Sequence, residues 1–209
     1  MLMMRLFLAM IPCAALAAPQ APASLFNVRD YGVRADGHTN DAAAIQRAID
    51  AAARAGGGVV YFPAGDYLSG TIVLRSNVTL HLAPGATLWG SRNMADYDPP
   101  HLIYAREAEN IAVEGGAING NGEAFWYPDF KPHPQRPSPL LEFVRCRNVR
   151  IQDVAIRNAP GWTIHPLECE QVKIRGISIV NHMNGPNTDG IDPDSSRNVA
   201  ISDSYIEAG

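Results

Sequence analysis

Apolar and polar residues alternate in short stretches over most of the chain, which is the pattern of β-strands with one buried face. Five stretches share a form in which an amide residue precedes two apolar residues that are separated by one position. They begin at Asn77, Asn110, Asn148, Gln171 and Asn198. In the last four, an isoleucine stands seven residues after the first apolar residue. The pattern predicts one structural unit that recurs along the chain.

Successive units are 33, 38, 23 and 27 residues apart, which is the range of solenoid repeats. Their period of two and their content of Val and Ile predict strands rather than helices. Two or three short strands in each unit describe one coil of a parallel β-helix, in which equivalent positions stack about 4.8 Å apart. We therefore expect the amides that precede the strands to form a stacked ladder of side-chain hydrogen bonds.

One amphipathic helix is predicted ahead of the strands, over about 40–55. Thr39 or Asn40 is expected as its N-cap, and three glycines at 56–58 end it. Its apolar residues at helical spacing are Ile45, Ala48, Ile49 and Ala52. A helix that occurs once before many strands is expected to cap the end of the β stack. A proline-rich segment over about 120–139 interrupts the repeat and is predicted to be a long loop.

The composition fits one folded domain, predicted over 24–209. The chain has 209 residues, of which 46% are hydrophobic and 18% charged, so it can bury a sizeable core. The formal net charge of −4 gives no basic footprint for nucleic acid. Residues 1–17 combine Arg5, an apolar run and small residues at the end, which predicts a secretory signal peptide. The apolar run is too short for a membrane span, and a secreted, periplasmic or extracellular protein is expected.

Two cysteines remain after residue 17, and they are one repeat apart. Cys146 and Cys169 are separated by 23 residues, so a β-helix would bring them onto neighbouring coils. A disulfide is one interpretation, since an exported protein meets oxidising conditions. Two small buried apolar side chains are the other, and the sequence leaves both open.

The densest group of acidic and amide side chains lies at 184–194. Alignment of the last two repeats places Asp189 over Trp162, and Asp192 over His165, 27 residues apart in each case. Alternation along the strand predicts an outward Asp192. Asp189 is turned outward only if the chain bends at the intervening glycine.

Outward carboxylates on neighbouring coils are suited to glycoside hydrolysis. That reaction uses one carboxyl group to protonate the leaving oxygen and another to activate water or to attack the sugar. Inverting enzymes hold the two groups roughly 6.5–9.5 Å apart, which is one or two coil spacings. The partner of Asp189 is therefore expected about one coil later, near 212–216. Asp192 and Asp194 are the alternatives within the chain.

The run Asn-Thr-Asp-Gly-Ile-Asp at 187–192 resembles the Asn-Thr-Asp motif of polygalacturonases and related pectin hydrolases, glycoside hydrolase family 28. Segments at 26–32, 36–37 and 56–65 are similar to the N-terminal part of the wider pectin-degrading superfamily. The resemblance implies an all-β fold, a right-handed parallel β-helix of the pectin-lyase type with an N-terminal capping helix. It also implies inverting hydrolysis of α-1,4-galacturonosidic bonds in pectin or polygalacturonate.

The resemblance further implies roles for individual residues. Asp189 is expected to be a catalytic carboxylate that helps to activate water, and Asn187 to orient the site or contact the substrate. Asp192 and His165 are further candidates for substrate binding. No metal and no cofactor is expected. The expected partner is a pectic polysaccharide, with neither nucleic acid nor a membrane, and the full-length protein is expected to be a monomer.

Three later motifs of that family do not occur in the 209 residues: an Asp-Asp pair, a Gly-His motif and an Arg-x-Lys motif. We therefore expect a domain truncated on its C-terminal side, which carries only part of the active site. One alternative is a pectate lyase that uses calcium held by Asp189, Asp192 and Asp194. The other is a truncated β-solenoid without catalytic activity.

Overall fold

The strands form three parallel sheets in the computed structural model, which describes residues 24–209. The predicted signal peptide at 1–17 lies outside the described residues. The first sheet, sheet A, contains β1 (Leu25–Asn27), β3 (Gly58–Phe62), β6 (Val78–Leu82), β9 (Glu109–Glu114), β12 (Arg147–Gln152), β15 (Glu170–Arg175) and β17 (Arg197–Ser202). Sheet B contains β2 (Asp36–Asn40), β4 (Gly65–Ser69), β7 (Ala86–Gly90), β10 (Ala117–Asn119), β13 (Ala155–Arg157), β16 (Ser178–Val180) and β18 (Tyr205–Glu207). Sheet C contains β5 (Ile72–Val73), β8 (Ile103–Arg106), β11 (Leu141–Val144) and β14 (Ile164–Leu167).

Each full coil passes from sheet C to sheet A, then to sheet B, and returns through a loop to sheet C. Successive coils pair in register, since Val149 of β12 pairs with Ile111 of β9 and with Val172 of β15. In sheet B, Ile156 likewise pairs with the isoleucines of the coils on either side. The parallel β-helix predicted from the repeats is thereby confirmed, with the alignment of the units.

The core is a set of inward columns in which apolar side chains of successive coils lie on one another. Full burial of one such side chain contributes about 1.5–3 kcal/mol. Fully buried examples are Leu80, Val113, Ile118, Ile151, Ile156 and Ile179. In β17 and β18 the equivalent Ile201 and Ile206 are 46% and 45% exposed, because no strand within residues 24–209 pairs with their far side.

Helix α1 (Ala42–Arg54) packs on the first coil through its apolar stripe. It begins two residues after the predicted start and ends one residue before the predicted end. Ile45 and Ile49 are fully buried against the strands. The remaining helical segments are single 3-10 turns: Val28–Tyr31, Met94–Asp96 and Gly122–Phe125. No helix within residues 24–209 has the length and apolar character needed to cross a bilayer.

The start of the helix differs from the prediction. The N-cap is Asp41, whereas Thr39 and Asn40 belong to strand β2. The Asp41 carboxylate accepts hydrogen bonds from the backbone N–H groups of Arg34 and Ala35, both at 2.9 Å. It therefore ties down the preceding loop, and the first N–H of the helix donates to Asn40 Oδ1 at 3.0 Å instead.

The recurring amides have a common backbone conformation. All five adopt left-handed values, with φ between 53° and 63°, a region that asparagine tolerates better than most residues. Asn110 Nδ2 donates to Asn77 Oδ1 at 2.9 Å, and Asn148 Nδ2 donates to Asn110 Oδ1 at 2.8 Å. The predicted ladder thus joins the three coils that contain β6, β9 and β12. Between Gln171 and its neighbours, no such bond is found in the described part of the chain.

The two cysteines are buried free thiols on neighbouring coils. The backbone N–H of Cys146 donates to Cys169 Sγ at 3.3 Å, and the Cys169 thiol donates to the Phe143 carbonyl at 3.2 Å. Of the two interpretations that the sequence left open, the structure has the pair of small buried side chains.

The ladder should contribute to stability at its central member. We expect Asn110→Ala to lower the free energy of unfolding by about 1–3 kcal/mol, because it removes two hydrogen bonds and a residue suited to left-handed backbone. Gln171→Ala is the matched control, since Gln171 has the same backbone conformation without a ladder bond, and should cost less. Urea denaturation of both variants measures the difference. Equal losses would show that the ladder bonds contribute nothing.

Candidate active site

One outward column on sheet C gathers most of the polar candidates. Strand pairing continues from β5 through β14, and a bridge between Ile164 and Ile191 extends it to the last coil. The backbone N–H of Asp192 donates to the Ile164 carbonyl at 2.9 Å, which fixes that register. From the first coil to the last, the column contains Val73, Tyr104, Glu142, His165 and Asp192. The predicted alignment of Asp192 with His165 is confirmed.

Asp189 is exposed at the beginning of this last strand segment. Its carbonyl accepts a hydrogen bond from Thr163 N–H at 2.9 Å, the register predicted from the repeats. The chain bends at Gly190, as the outward placement of Asp189 requires. A Cβ atom on Gly190 would lie 2.7 Å from Ile206 Cγ2, so this position faces the core and has room only for glycine. The bend therefore allows Asp189 to face solvent.

The middle residue of the Asn-Thr-Asp run is structural. Thr188 is fully buried, and its hydroxyl accepts a hydrogen bond from Gly209 N–H at 3.2 Å. Its neighbours Asn187 and Asp189 are both exposed, and Asn187 has a left-handed φ of 55°. An inward threonine between two outward residues thus presents both polar side chains on one surface.

A buried asparagine holds the backbone before Asp189. Asn181 directly follows strand β16 and is almost fully buried. Its Oδ1 accepts from Ala159 N–H at 3.0 Å, and its Nδ2 donates to Thr163 Oγ1 at 2.7 Å and to the Thr188 carbonyl at 2.8 Å. One amide therefore joins two coils to the loop at 182–188. Sequence analysis missed this residue, although Asn158 precedes it by one repeat at the end of β13 and was a usable signal.

Glu142 and His165 form a buried pair on the outer face of sheet C. His165 Nδ1 lies 2.8 Å from Glu142 Oε2, and the two residues are 7% and 6% exposed. The Nδ1–H group donates to the carboxylate, which fixes the orientation of the imidazole ring. The Trp162 ring, 40% exposed, lies beside the imidazole with centroids 5.2 Å apart. Glu142 was missed by sequence analysis because nothing in its local pattern distinguishes it from a surface residue.

Asp192 is the electrostatically unusual group of the site. Its Oδ2 is buried and has no hydrogen-bond partner within residues 24–209. Burial raises the pKa of this carboxyl group above its ordinary value, the negative charge of Asp189 raises it further, and His165 opposes the rise. Asp189 and Asp192 thus have different environments, a property of carboxylates with separate roles.

Loops between sheets B and C cover the rest of this face. Trp126 is buried, and its Nε1–H donates to the Pro160 carbonyl at 3.0 Å, so it fixes the loop at 120–139 to the coil. Its ring also contacts His182, with centroids 6.0 Å apart, next to the loop that precedes Asp189. Tyr127 and Phe130 on the same loop remain exposed. His182 therefore belongs to an aromatic contact between two loops.

Carboxylates of the last strand segment are not gathered around one point. Asp194 Oδ1 accepts a hydrogen bond from its neighbour Ser195 at 2.8 Å. In the part of the chain that the structure describes, no group of three or more His, Cys, Asp or Glu side chains is arranged to hold a metal ion.

The model of glycosyl hydrolases family 28 matches residues 58–209. The chain belongs to this family. Polygalacturonase QRT2 of Arabidopsis thaliana is 30% identical over 206 residues, which are 92% of this chain and 46% of the relative. An exo-poly-alpha-D-galacturonosidase of Dickeya chrysanthemi is 28% identical and covers 88% of this chain and 40% of its own length. The family 28 chain thus spans less than half of the length of these curated relatives.

Among solved structures, a hyperthermoactive exopolygalacturonase of Thermotoga maritima is 30% identical with a TM-score of 0.78. The match covers 90% of the family 28 chain and 53% of the Thermotoga chain. The family membership predicted from the run at 187–192 is therefore confirmed.

Asn181 should be the residue that determines the position of the loop before Asp189. We expect Asn181→Leu to lower the free energy of unfolding by at least about 3 kcal/mol, because three buried polar groups lose their partner at about 1–3 kcal/mol each. Asn181→Asp keeps the acceptor for Ala159 but puts an acceptor oxygen against the Thr188 carbonyl, so it should also lower stability, and more so once the buried carboxyl group ionises. Urea denaturation and hydrogen exchange of the amides at 182–190 measure both effects. Asn158→Leu is the control one coil earlier, where leucine in left-handed backbone should by itself cost about 1–2 kcal/mol. A loss as large as that of Asn181→Leu would contradict the assignment.

The raised pKa of Asp192 predicts a pH-dependent stability. The native state binds the Asp192 proton more tightly than the unfolded state, so this residue favours folding less as the pH rises through its raised pKa. Asp192→Asn removes the effect. The variant should therefore gain stability relative to the wild type between pH 3 and pH 7, as measured by urea denaturation across that range. An identical gain in Asp194→Asn would contradict a specific role of Asp192.

Proposed function

We propose that the family 28 chain is the part of a glycosidase that carries the water-activating carboxylate, acting on α-1,4-galacturonosidic bonds of pectin or polygalacturonate. The observation that carries this proposal is the exposed Asp189, held outward by the bend at Gly190 and by the buried Asn181 network. The name polygalacturonase of relatives at 30% identity supports the choice of substrate.

Asp189 is assigned the removal of a proton from the attacking water. An exposed carboxylate with a fixed backbone can do this from the face opposite the leaving oxygen, which inverts the configuration at the anomeric carbon. The general acid is a second carboxyl group. The family resemblance assigns it to an Asp-Asp pair about one coil later, a pair that does not occur in residues 1–209.

The neighbouring residues are assigned to substrate binding and to positioning. Asn187 is exposed beside Asp189 and can form hydrogen bonds with a sugar hydroxyl or carboxylate. Asp192, whose neutral form is favoured by burial, can donate a proton in a hydrogen bond to the same sugar unit. His165 is hydrogen-bonded to Glu142 and lies beside the Trp162 ring, so its role is to hold the tryptophan in place.

Export from the cytoplasm and a monomeric state belong to the same proposal. The apolar run and small residues at 1–17 support export of the protein to the periplasm or the cell exterior. A β-helix buries its core within one chain, which supports action as a monomer.

Asp189→Asn should decrease the release of reducing ends from polygalacturonate by at least about 100-fold, because it removes the base while keeping the shape of the side chain. The assay uses the natural protein that contains these 209 residues. Asp194→Asn on the same segment is the matched control and should retain activity. Proton NMR of the first product tests inversion.

The same assay distinguishes the alternatives. A pectate lyase yields an unsaturated product with ultraviolet absorbance and needs added calcium, whereas a hydrolase yields reducing ends without that absorbance. A protein that binds galacturonan without releasing any product would be the non-catalytic solenoid. Full activity of Asp189→Asn would refute the assignment of Asp189 in every case.

A further inference from the structure

A groove lies on the outer face of sheet B, away from the sheet C column that contains Asp192. Its volume is about 760 Å³, which is within the usual range of small-ligand sites, about 300–1,000 Å³. Strands β2, β4 and β7 form its floor, and the loop after β7 forms one wall. The lining residues used below are Asp36, Asp66, Leu68, Trp89, Arg92 and Asn121.

The floor of the groove is apolar at its centre. Leu68 of β4 pairs in register with Trp89 of β7, and both side chains occupy outward positions. Trp89 Nε1–H donates to Asp66 Oδ1 at 2.8 Å, which fixes the plane of the indole ring. A half-buried tryptophan with a fixed orientation offers a large apolar face at little further loss of side-chain entropy, and such a face suits the C–H surface of a sugar ring.

One side of the groove is a pair of carboxylates. Asp36 pairs in register with Asp66 on the neighbouring strand. Hydrogen bonds from the backbone N–H groups of Thr39 and His38 lower the pKa of Asp36 to about 2, so it is ionised at ordinary pH. An ionised carboxylate only accepts hydrogen bonds, and hydroxyl groups are suitable donors to it.

The other side holds a cation and a fixed amide. Arg92 is exposed and forms no ion pair within residues 24–209, so its donors are available to a ligand. Asn121 is buried, and its Nδ2 donates to the Gly90 carbonyl at 2.7 Å, which fixes the end of the floor behind Trp89. This side of the groove therefore combines the guanidinium group of Arg92, which can adapt to a ligand, with backbone that Asn121 holds in place.

The charges of the lining select the class of ligand. Asp36 and Asp66 oppose a single Arg92, so the groove is net negative when His38 is neutral. A polyanion such as galacturonan is disfavoured there, whereas a neutral sugar brings hydroxyl donors for the carboxylates and an apolar face for the indole. We propose that this groove is a binding site for a neutral saccharide, separate from the sheet C site and independent of the function proposed for Asp189.

The indole of Trp89 provides a direct test, since the chain has three tryptophans and each gives one Nε1–H signal in a nitrogen–proton NMR spectrum. The Trp89 signal is assigned by its absence from Trp89→Phe. Titration with β-1,4-galactobiose should move this signal in a saturable manner and leave the Trp162 signal in place. Asp66→Asn should weaken the affinity at least tenfold, while Arg150→Gln, on the outer face of sheet A, should leave it unchanged.

Titration with digalacturonate completes the test. A Trp89 signal that does not move with galactobiose, or that moves more with digalacturonate, would overturn the proposal. Movement of the Trp162 signal with digalacturonate bears only on the proposed function of the sheet C site, so the two proposals fail separately. Unchanged backbone amide signals in Asp66→Asn distinguish a lost contact from a lost fold.

Discussion

In-register pairing between successive coils is the constraint on which the rest of this structure depends. Each strand inside a sheet pairs with the coils on both sides, and a shift of one residue would exchange its inward and outward faces. The inward columns of Val, Leu and Ile make such a shift costly, because each misplaced side chain loses about 1.5–3 kcal/mol of burial. Pairing and burial thus fix the same register, and every outward side chain inherits its position from them.

The candidate active site is a consequence of that register. Residues 142, 165 and 192 are far apart in sequence, yet they occupy consecutive positions of one column because their strands pair. Pairing alone would place Asp189 on the inward side of a regular strand, whereas the residue is exposed. The glycine bend and the Asn181 hydrogen bonds supply that exception. Local departure from the regular coil is therefore the feature that makes the segment suitable for chemistry.

Buried polar groups have different consequences at different points of the chain. Both the oxygen and the nitrogen of the Asn181 amide have hydrogen-bond partners, so the buried side chain is a rigid connection between two coils and a loop. Asp192 has one buried oxygen without a hydrogen-bond partner within residues 24–209, so desolvation favours its neutral form and its charged form costs stability. On sheet B, by contrast, the Asp36 carboxylate is exposed, and backbone hydrogen bonds hold its pKa low.

The sequence by itself determined the parallel β-helix, the capping helix, the register of the last two coils and the outward position of Asp192. The alternation of apolar residues and the spacing of the repeats can be read along the chain without knowledge of the loop paths. It also indicated that Asp189 depends on Gly190. Only the tertiary structure decided that the Asp41 carboxylate bonds the loop at 34–35, that Glu142 meets His165 and that Asn181 holds the loop before Asp189. These contacts join residues on different coils or loops, and their geometry depends on loop paths that have no periodic signal. The partial burial of Asp192 was decided in the same way, since it follows from packing around the side chain rather than from its place in the strand.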